Sequence, residues 1–137
     1  MIRLQPTQIT NAQQLTATVT GPDGANTLIV FDGSIPANVS AWNNATSKET
    51  YSVLLGPVLT RRQFVQATAT ASLGGLGVNL NAAGSLIASW QIPFVDADWD
   101  DESGQVELRV EVSTQVGANA STNLLSVGYH VTVLAAM

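Results

Sequence analysis

Apolar and polar residues alternate with a period of two along most of the chain. In QLTATVT, residues 14–20, Leu15, Ala17 and Val19 point one way and the threonines between them point the other. The same alternation runs through FVQATATASL at 64–73 and QVELRVEVS at 105–113. Successive side chains of a β-strand point to opposite faces of its sheet, so this period is typical of strands.

Clusters of Gly, Pro, Asn and Asp divide the chain into about eight such segments. The other predicted strands are residues 27–31, 37–42, 49–59, 85–99 and 123–137. The turn GPDGAN at 21–26 and the loop GGLGVNLNAAGS at 74–85 separate neighbouring strands. The segment ETYSVLLGPVL at 49–59 is apolar on both faces, which indicates a central or interface strand.

Two segments carry more specific information about faces. In residues 85–99 the apolar positions include Trp90 and Phe94, and then shift to the opposite parity from Val95 onward. A strand changes face only through an inserted residue, so we expect a bulge or break near Pro93–Phe94. In the last segment we expect one inward face made of every second residue. Its members are Leu125, Val127, Tyr129, Val131 and Val133.

These patterns predict an all-β fold in one domain spanning residues 1–137. The expected architecture is an antiparallel β-sandwich, of the jelly-roll or immunoglobulin-like type, with about eight strands. A chain of 137 residues is long enough to bury a core without disulfides or structural metal ions, and it has no cysteine that could form a disulfide. No helical periodicity competes with this interpretation.

Composition then narrows the classes of partner. The net charge is −5 with five Lys and Arg in all, too few cations for nucleic acid or an anionic membrane surface. No apolar run is long enough for membrane insertion, and the start MIRLQPTQIT shows no signal peptide. Location stays open between the extracellular space and an assembled particle. Only 11% of residues are charged, so the surface is easily desolvated and suits contact with copies of itself.

Acidic residues concentrate in VDADWDDESGQVELRVEV, residues 95–112. A four-residue loop at 101–104 keeps the apolar face of this hairpin continuous and sets its register. Trp99 then lies opposite Val106. The remaining expected pairs are Asp98 with Glu107, Asp96 with Arg109, and Asp100 with Gln105.

The same acids allow a metal hypothesis. Asp96, Asp98, Asp100 and Glu107 stand at positions 1, 3, 5 and 12 of the EF-hand calcium loop. Position 6, which should be glycine, is Asp101, and the flanks alternate like strands. The pattern favours a solvated acidic turn, with a calcium site as the alternative.

Two further groups are candidates for contacts. Trp42, Asn43 and Asn44 at a turn can bind a sugar, since the indole can stack on its ring while the amides bond its hydroxyls. The pattern favours the other interpretation, in which Trp42 packs on a neighbouring loop or subunit. Arg61 and Arg62 are the one pair of adjacent cations in the sequence, and we expect them to meet the acidic hairpin, within the chain or between subunits.

No catalytic constellation is visible in the sequence. His130 is a single histidine on a strand, without a recognisable nucleophile motif such as G-x-S-x-G. We therefore expect a non-enzymatic structural protein that self-assembles as the subunit of a filament, particle or surface layer, with itself as its partner. The alternative is a lectin-like module that binds glycans, with calcium as an optional cofactor.

Overall fold

A computed structural model of the chain describes residues 1–22, 24–80 and 87–136, and nearly all of them are in strands. A single 3₁₀ turn, Pro6–Gln8, interrupts the strands of the described part of the chain. The strands are β1 Ile2–Leu4, β2 Thr10–Gly21, β3 Gly24–Trp42, β4 Thr46–Leu55, β5 Phe64–Leu80, β6 Ala88–Trp99, β7 Val106–Val116 and β8 Ala120–Ala136. The predicted all-β class and the count of eight are confirmed.

The strands form two four-stranded sheets that pack face to face as a sandwich. Sheet A has the order β1-β4-β7-β6, and sheet B has the order β2-β3-β8-β5. Every pairing is antiparallel except that of β1 with β4. This strand order differs from that of an immunoglobulin domain, whose first two strands are neighbours in one sheet.

The core lies between the two sheets and is centred on β7 and β8. β7 buries every second residue completely or nearly so, as its alternation predicts: Val106, Leu108, Val110 and Val112. Trp90 and Trp99 pack against this core from β6, and each indole N–H donates to a backbone carbonyl. These bonds satisfy the indole N–H of each ring and so offset the cost of burying that polar group.

One predicted break between strands is wrong, and one predicted loop begins too early. Residues 27–31 and 37–42 belong to one strand, β3, which absorbs Pro36 through a one-residue register shift against β8 between Pro36 and Val39. Likewise β5 continues through its glycines to Leu80, and the rest of the predicted loop lies outside the described residues. In both places pairing with neighbouring strands overrides the local preference of Gly and Pro for turns.

The predicted face of β8 is correct over only part of its length. The alternate residues Val127, Tyr129, Val131 and Val133 point inward as expected, but the next core residue toward the N-terminus is Leu124 and not Leu125. Leu125 is 52% exposed. The three-residue spacing between Leu124 and Val127 breaks the period of two beside the register shift in β3.

The predicted irregularity in β6 is confirmed. Its register against β7 shifts between Gln91 and Phe94, which leaves Phe94 exposed and turns Val95 toward the core. The short strand β1, by contrast, has no counterpart among the predicted strands. Three residues are too few for a periodic signal.

Candidate functional site

The most distinctive surface of the molecule is the free edge of sheet B at β2. This strand pairs with β3 as far as Gly21 opposite Gly24, and it lies at the end of the sheet order. All twelve of its residues are exposed, and none is charged or proline. An edge strand presents a row of unpaired backbone N–H and C=O groups, and a long uncharged edge invites pairing with another strand.

The outermost strand at each of the other three sheet edges is short, interrupted or flanked. β1 has three residues. β6 contains Pro93, a register shift and two outward carboxylates, Asp96 and Asp98. β5 has a register shift between Phe64 and Gln66 and packs beside β6 of the opposite sheet. Proline, bulges and charges are the features by which natural sheets prevent edge-to-edge pairing.

In residues 14–20 of β2 the apolar side chains point to the outer face of the sheet and the polar ones to the inner face, which is the reverse of the usual arrangement. Leu15 is 68% exposed and lies opposite Val30, on the outer face of sheet B. Thr16 lies opposite the core residue Ile29, on the inner face. Thr16 is nevertheless exposed, because β1 ends at Leu4 and sheet A does not extend over β2. The alternation read from the sequence is therefore present, but its apolar half faces outward.

An open groove lies next to the part of β2 that sheet A does not cover. It has a volume of about 380 Å³ and lies between the start of β2 and the end of β4. Its apolar lining includes Ile9, Phe31, Leu55 and Tyr129. Burial, together with the nearby Asp32 carboxylate, raises the pKa of the Tyr129 hydroxyl above its ordinary value.

The acidic hairpin between β6 and β7 has the predicted register. Trp99 pairs with Val106, Asp98 with Glu107 and Asp96 with Arg109.

At the hairpin tip, Asp100 organises the turn. Its backbone N–H donates to the Gln105 carbonyl at 2.9 Å, and its carboxylate accepts bonds from the Ser103 hydroxyl at 2.6 Å and the Ser103 N–H at 2.9 Å. These two bonds to the charged form lower the pKa of the Asp100 carboxyl.

Of the four residues proposed as calcium ligands, Glu107 is already paired. It is only 7% exposed, and its two carboxylate oxygens accept from Arg3 and from Arg109, the latter at 2.5 Å. The four acids border one shallow depression of about 290 Å³ together with Arg109. Among residues 1–22, 24–80 and 87–136, no three His, Cys, Asp or Glu side chains are grouped so as to hold a metal ion. The arginines supply the positive charge that a cation would bring.

Arg61 and Arg62 lie in the connection between β4 and β5, close to the acidic hairpin. The Arg61 guanidinium stands 5.6 Å from the centre of the Trp99 ring, a cation–π contact at the base of that hairpin. The ion pairs found in the described part of the chain involve other residues: Arg3 and Arg109 with Glu107, and His130 with Asp32.

Trp42 ends β3 with its indole 52% exposed, and Asn43 and Asn44 follow in left-handed backbone conformations. Asn43 serves the turn itself, since its side-chain oxygen accepts the Asn119 N–H at 3.1 Å. The backbone N–H of Asn44 donates to the Gly117 carbonyl at 3.0 Å. Two loops are thereby joined, and the Trp42 indole remains exposed beside them.

A polar group that sequence reasoning missed lies on the outer face of sheet B. His130 is paired in register with Asp32, and its Nδ1 is 2.7 Å from the Asp32 carboxylate. Its Nε2 is 3.2 Å from the Thr132 hydroxyl. Asp32 and His130 border a depression of about 490 Å³ that is also lined by Gly128. Asp32 and His130 are 98 positions apart, and only the strand order brings them together.

This group has the order carboxylate–imidazole–hydroxyl that activates a nucleophile in hydrolases. A hydrolase also needs N–H donors aimed at the developing oxyanion. β8 is bonded on both sides, to β3 and to β5, so the backbone N–H groups around Thr132 are used within the sheet. The group therefore does not assemble an oxyanion hole from its own strand.

Comparison with known proteins finds no family model, no curated protein and no solved structure that matches the chain. In the part of the chain that the structure describes, no helix is long and apolar enough to cross a membrane.

Proposed function

We propose that the protein is a non-enzymatic structural subunit that assembles with copies of itself into a filament, particle or surface layer. The observation that carries this proposal is β2, a twelve-residue edge strand in which every residue is exposed and none is charged or proline. In a protein whose role is to stay monomeric, such an edge is a liability.

The distribution of exposed apolar side chains supports the same proposal. Six large ones lie on the two edge strands of sheet B: Leu15, Val19, Val65, Leu76, Val78 and Leu80. β2 and β5 are the opposite edges of that sheet, so each edge carries its own group of exposed apolar side chains. Grouped apolar side chains mark interaction sites, whereas isolated ones need no explanation. The outer face of sheet A carries acids and arginines, whereas β2 and β5 of sheet B contain no charged residue.

The experiment is the native mass, measured by light scattering after size-exclusion chromatography, for the wild type and two lysine variants. Thr18→Lys places a charge on the inner face of the free edge, a natural means of blocking strand addition. Thr46→Lys adds the same charge to an exposed residue of β4 in sheet A. We expect a wild type heavier than the 14.3 kDa chain, an unchanged Thr46→Lys, and a Thr18→Lys shifted toward the monomer.

A wild type that stays at the monomer mass at all concentrations would remove the proposal. Equal effects of the two lysines would mean that added charge, and not the β2 edge, controls assembly.

A secondary contact in the same assembly is the arginine pair meeting the acidic hairpin of a neighbouring copy. Both Arg61 and Arg62 are exposed, and Arg61 already reaches its own hairpin through Trp99. Reversal of both charges, Arg61→Glu with Arg62→Glu, should weaken assembly and its dependence on salt. An unchanged particle size by light scattering would exclude this contact.

A second candidate function is carbohydrate binding, and the exposed Trp42 favours it. An exposed indole can stack on a sugar ring, and side-chain amides such as that of the neighbouring Asn44 can bond its hydroxyls. A glycan array with and without chelator, repeated with Trp42→Ala, tests this candidate and its calcium dependence. Binding that is lost in Trp42→Ala would support it, whereas an array without signal would remove it.

A further inference from the structure

The hydrogen-bonding pattern of the β2–β3 hairpin fixes which residues of β2 can bond to another strand. Gly21 and Gly24 close its two-residue turn as a pair, so the odd-numbered residues of β2 direct their N–H and C=O groups toward β3. The even-numbered residues Gln14, Thr16, Thr18 and Thr20 direct theirs to the free edge. No register shift occurs from Gln13 to Gly21, so this edge is regular over nine residues.

Charge indicates what kind of strand would add to this edge. The chain carries a net charge of −5, so two copies repel each other where their acidic surfaces meet. β2 contains no charged residue, and the same neutral edge is present on every copy. A charged foreign strand finds no complementary charge there, whereas a second β2 meets no repulsion.

Resting on the proposed self-assembly, we infer that β2 pairs antiparallel with β2 of a second copy, about a two-fold axis that passes next to Ala17. The interface is isologous, as in most homodimers. The pairing of the two β2 strands joins the two B sheets into one continuous sheet of eight strands. The residues of β2 then pair so that their numbers sum to 34. Leu15 lies opposite Val19, and Thr16 lies opposite Thr18.

The register follows from the side chains. With the axis at Ala17, Leu15 and Val19 form two apolar cross-strand pairs on the outer face, and Thr16 and Thr18 form two hydroxyl pairs on the other face. Moving the axis by one residue to Thr18 places Leu15 opposite Gly21, and moving it to Thr16 places Val19 opposite Gln13. Both alternatives leave an exposed apolar side chain without an apolar partner.

Disulfide trapping tests this register, and the chain suits it because it contains no cysteine. In the inferred pairing Ala17 faces its own copy in a non-hydrogen-bonded pair, where Cα atoms are about 4.5 Å apart, within the range of disulfides. Two copies of Leu15 would be about 14 Å apart, too far to bridge. We expect Ala17→Cys to give about tenfold more reducible dimer than Leu15→Cys under mild oxidation, because only the first pair meets the disulfide distance.

Thr68→Cys, an exposed position on β5 of the same sheet, measures random collision between copies. Adding Thr18→Lys to Ala17→Cys should abolish the trapped dimer. If Ala17→Cys cross-links no better than Leu15→Cys or Thr68→Cys while light scattering still shows assembly, the two-fold pairing is wrong and the proposed function stands. If the wild type is monomeric at all concentrations, both fail.

Discussion

Leu124 and Leu125 are neighbours in β8, yet they differ completely in burial. Leu124 is fully buried and Leu125 is 52% exposed. Truncating each to alanine removes the same atoms, so the two variants form a matched pair. Leu124→Ala loses the transfer free energy of its side chain and leaves a cavity between the sheets, which costs about 2–5 kcal/mol at buried leucines. Leu125→Ala loses only the buried half of its surface, below about 1 kcal/mol.

The assay is thermal unfolding followed by circular dichroism, with both variants at one protein concentration because the proposed assembly would make melting concentration-dependent. For a domain of this size each kcal/mol lowers Tm by roughly 3–5 °C. We expect Leu124→Ala to melt about 10 °C below the wild type and Leu125→Ala within about 4 °C of it. Equal losses in the two variants, or a larger loss in Leu125→Ala, would refute the change of face in β8 and with it the assigned core.

The remaining predictions concern titration and metal. Asp100→Asn should lower Tm near neutral pH. The pKa of the Asp100 carboxyl is lowered in the folded state, so the carboxylate stabilises the fold at any pH above 3.8, the ordinary pKa of Asp. This stabilisation is lost as the pH falls through the folded pKa. A Tm difference between variant and wild type that persists at lower pH would contradict this cause. Calcium added to chelated protein should leave Tm unchanged, because Arg3 and Arg109 already neutralise Glu107, and a rise would restore the calcium hypothesis. The two tyrosines, Tyr51 and Tyr129, should ionise only above their ordinary pKa of 10.0 in an absorbance titration, because burial raises both pKa values; ionisation of either at 10.0 or below would place it at the surface.

Sequence reasoning succeeded where one local pattern determined the structure. The register of the acidic hairpin followed from keeping Trp99 and Val106 on one face across a four-residue loop. The irregularity in β6 followed from the change of apolar parity around Pro93. Both features depend on residues close together in the sequence, and both are constrained by a buried face.

It failed where distant strands decide the outcome. The glycines at 74, 75 and 77 indicated a loop, but pairing with β8 holds them in β5. The alternation in β2 could not reveal which face is inner, because that depends on where sheet A ends. The contact between Asp32 and His130 depends on β3 and β8 being neighbours, and no local pattern predicts that order.

The candidate surface for assembly shows the same division. Its low charge and its period of two are readable from residues 14–20. The position of β2 at the sheet edge cannot be read from the sequence, because an edge strand without charges resembles an interior strand in sequence. The structure adds the edge position of β2 and the contrast with β6, whose Pro93 and Asp96 are typical of a protected edge.

The central claim is that the uncharged edge of sheet B makes copies of this protein associate. Sedimentation velocity of the wild type over a wide concentration range tests it most directly. We predict a mass above the 14.3 kDa of one chain that increases with concentration toward a defined assembly. A single species at the mass of one chain at every concentration would contradict it.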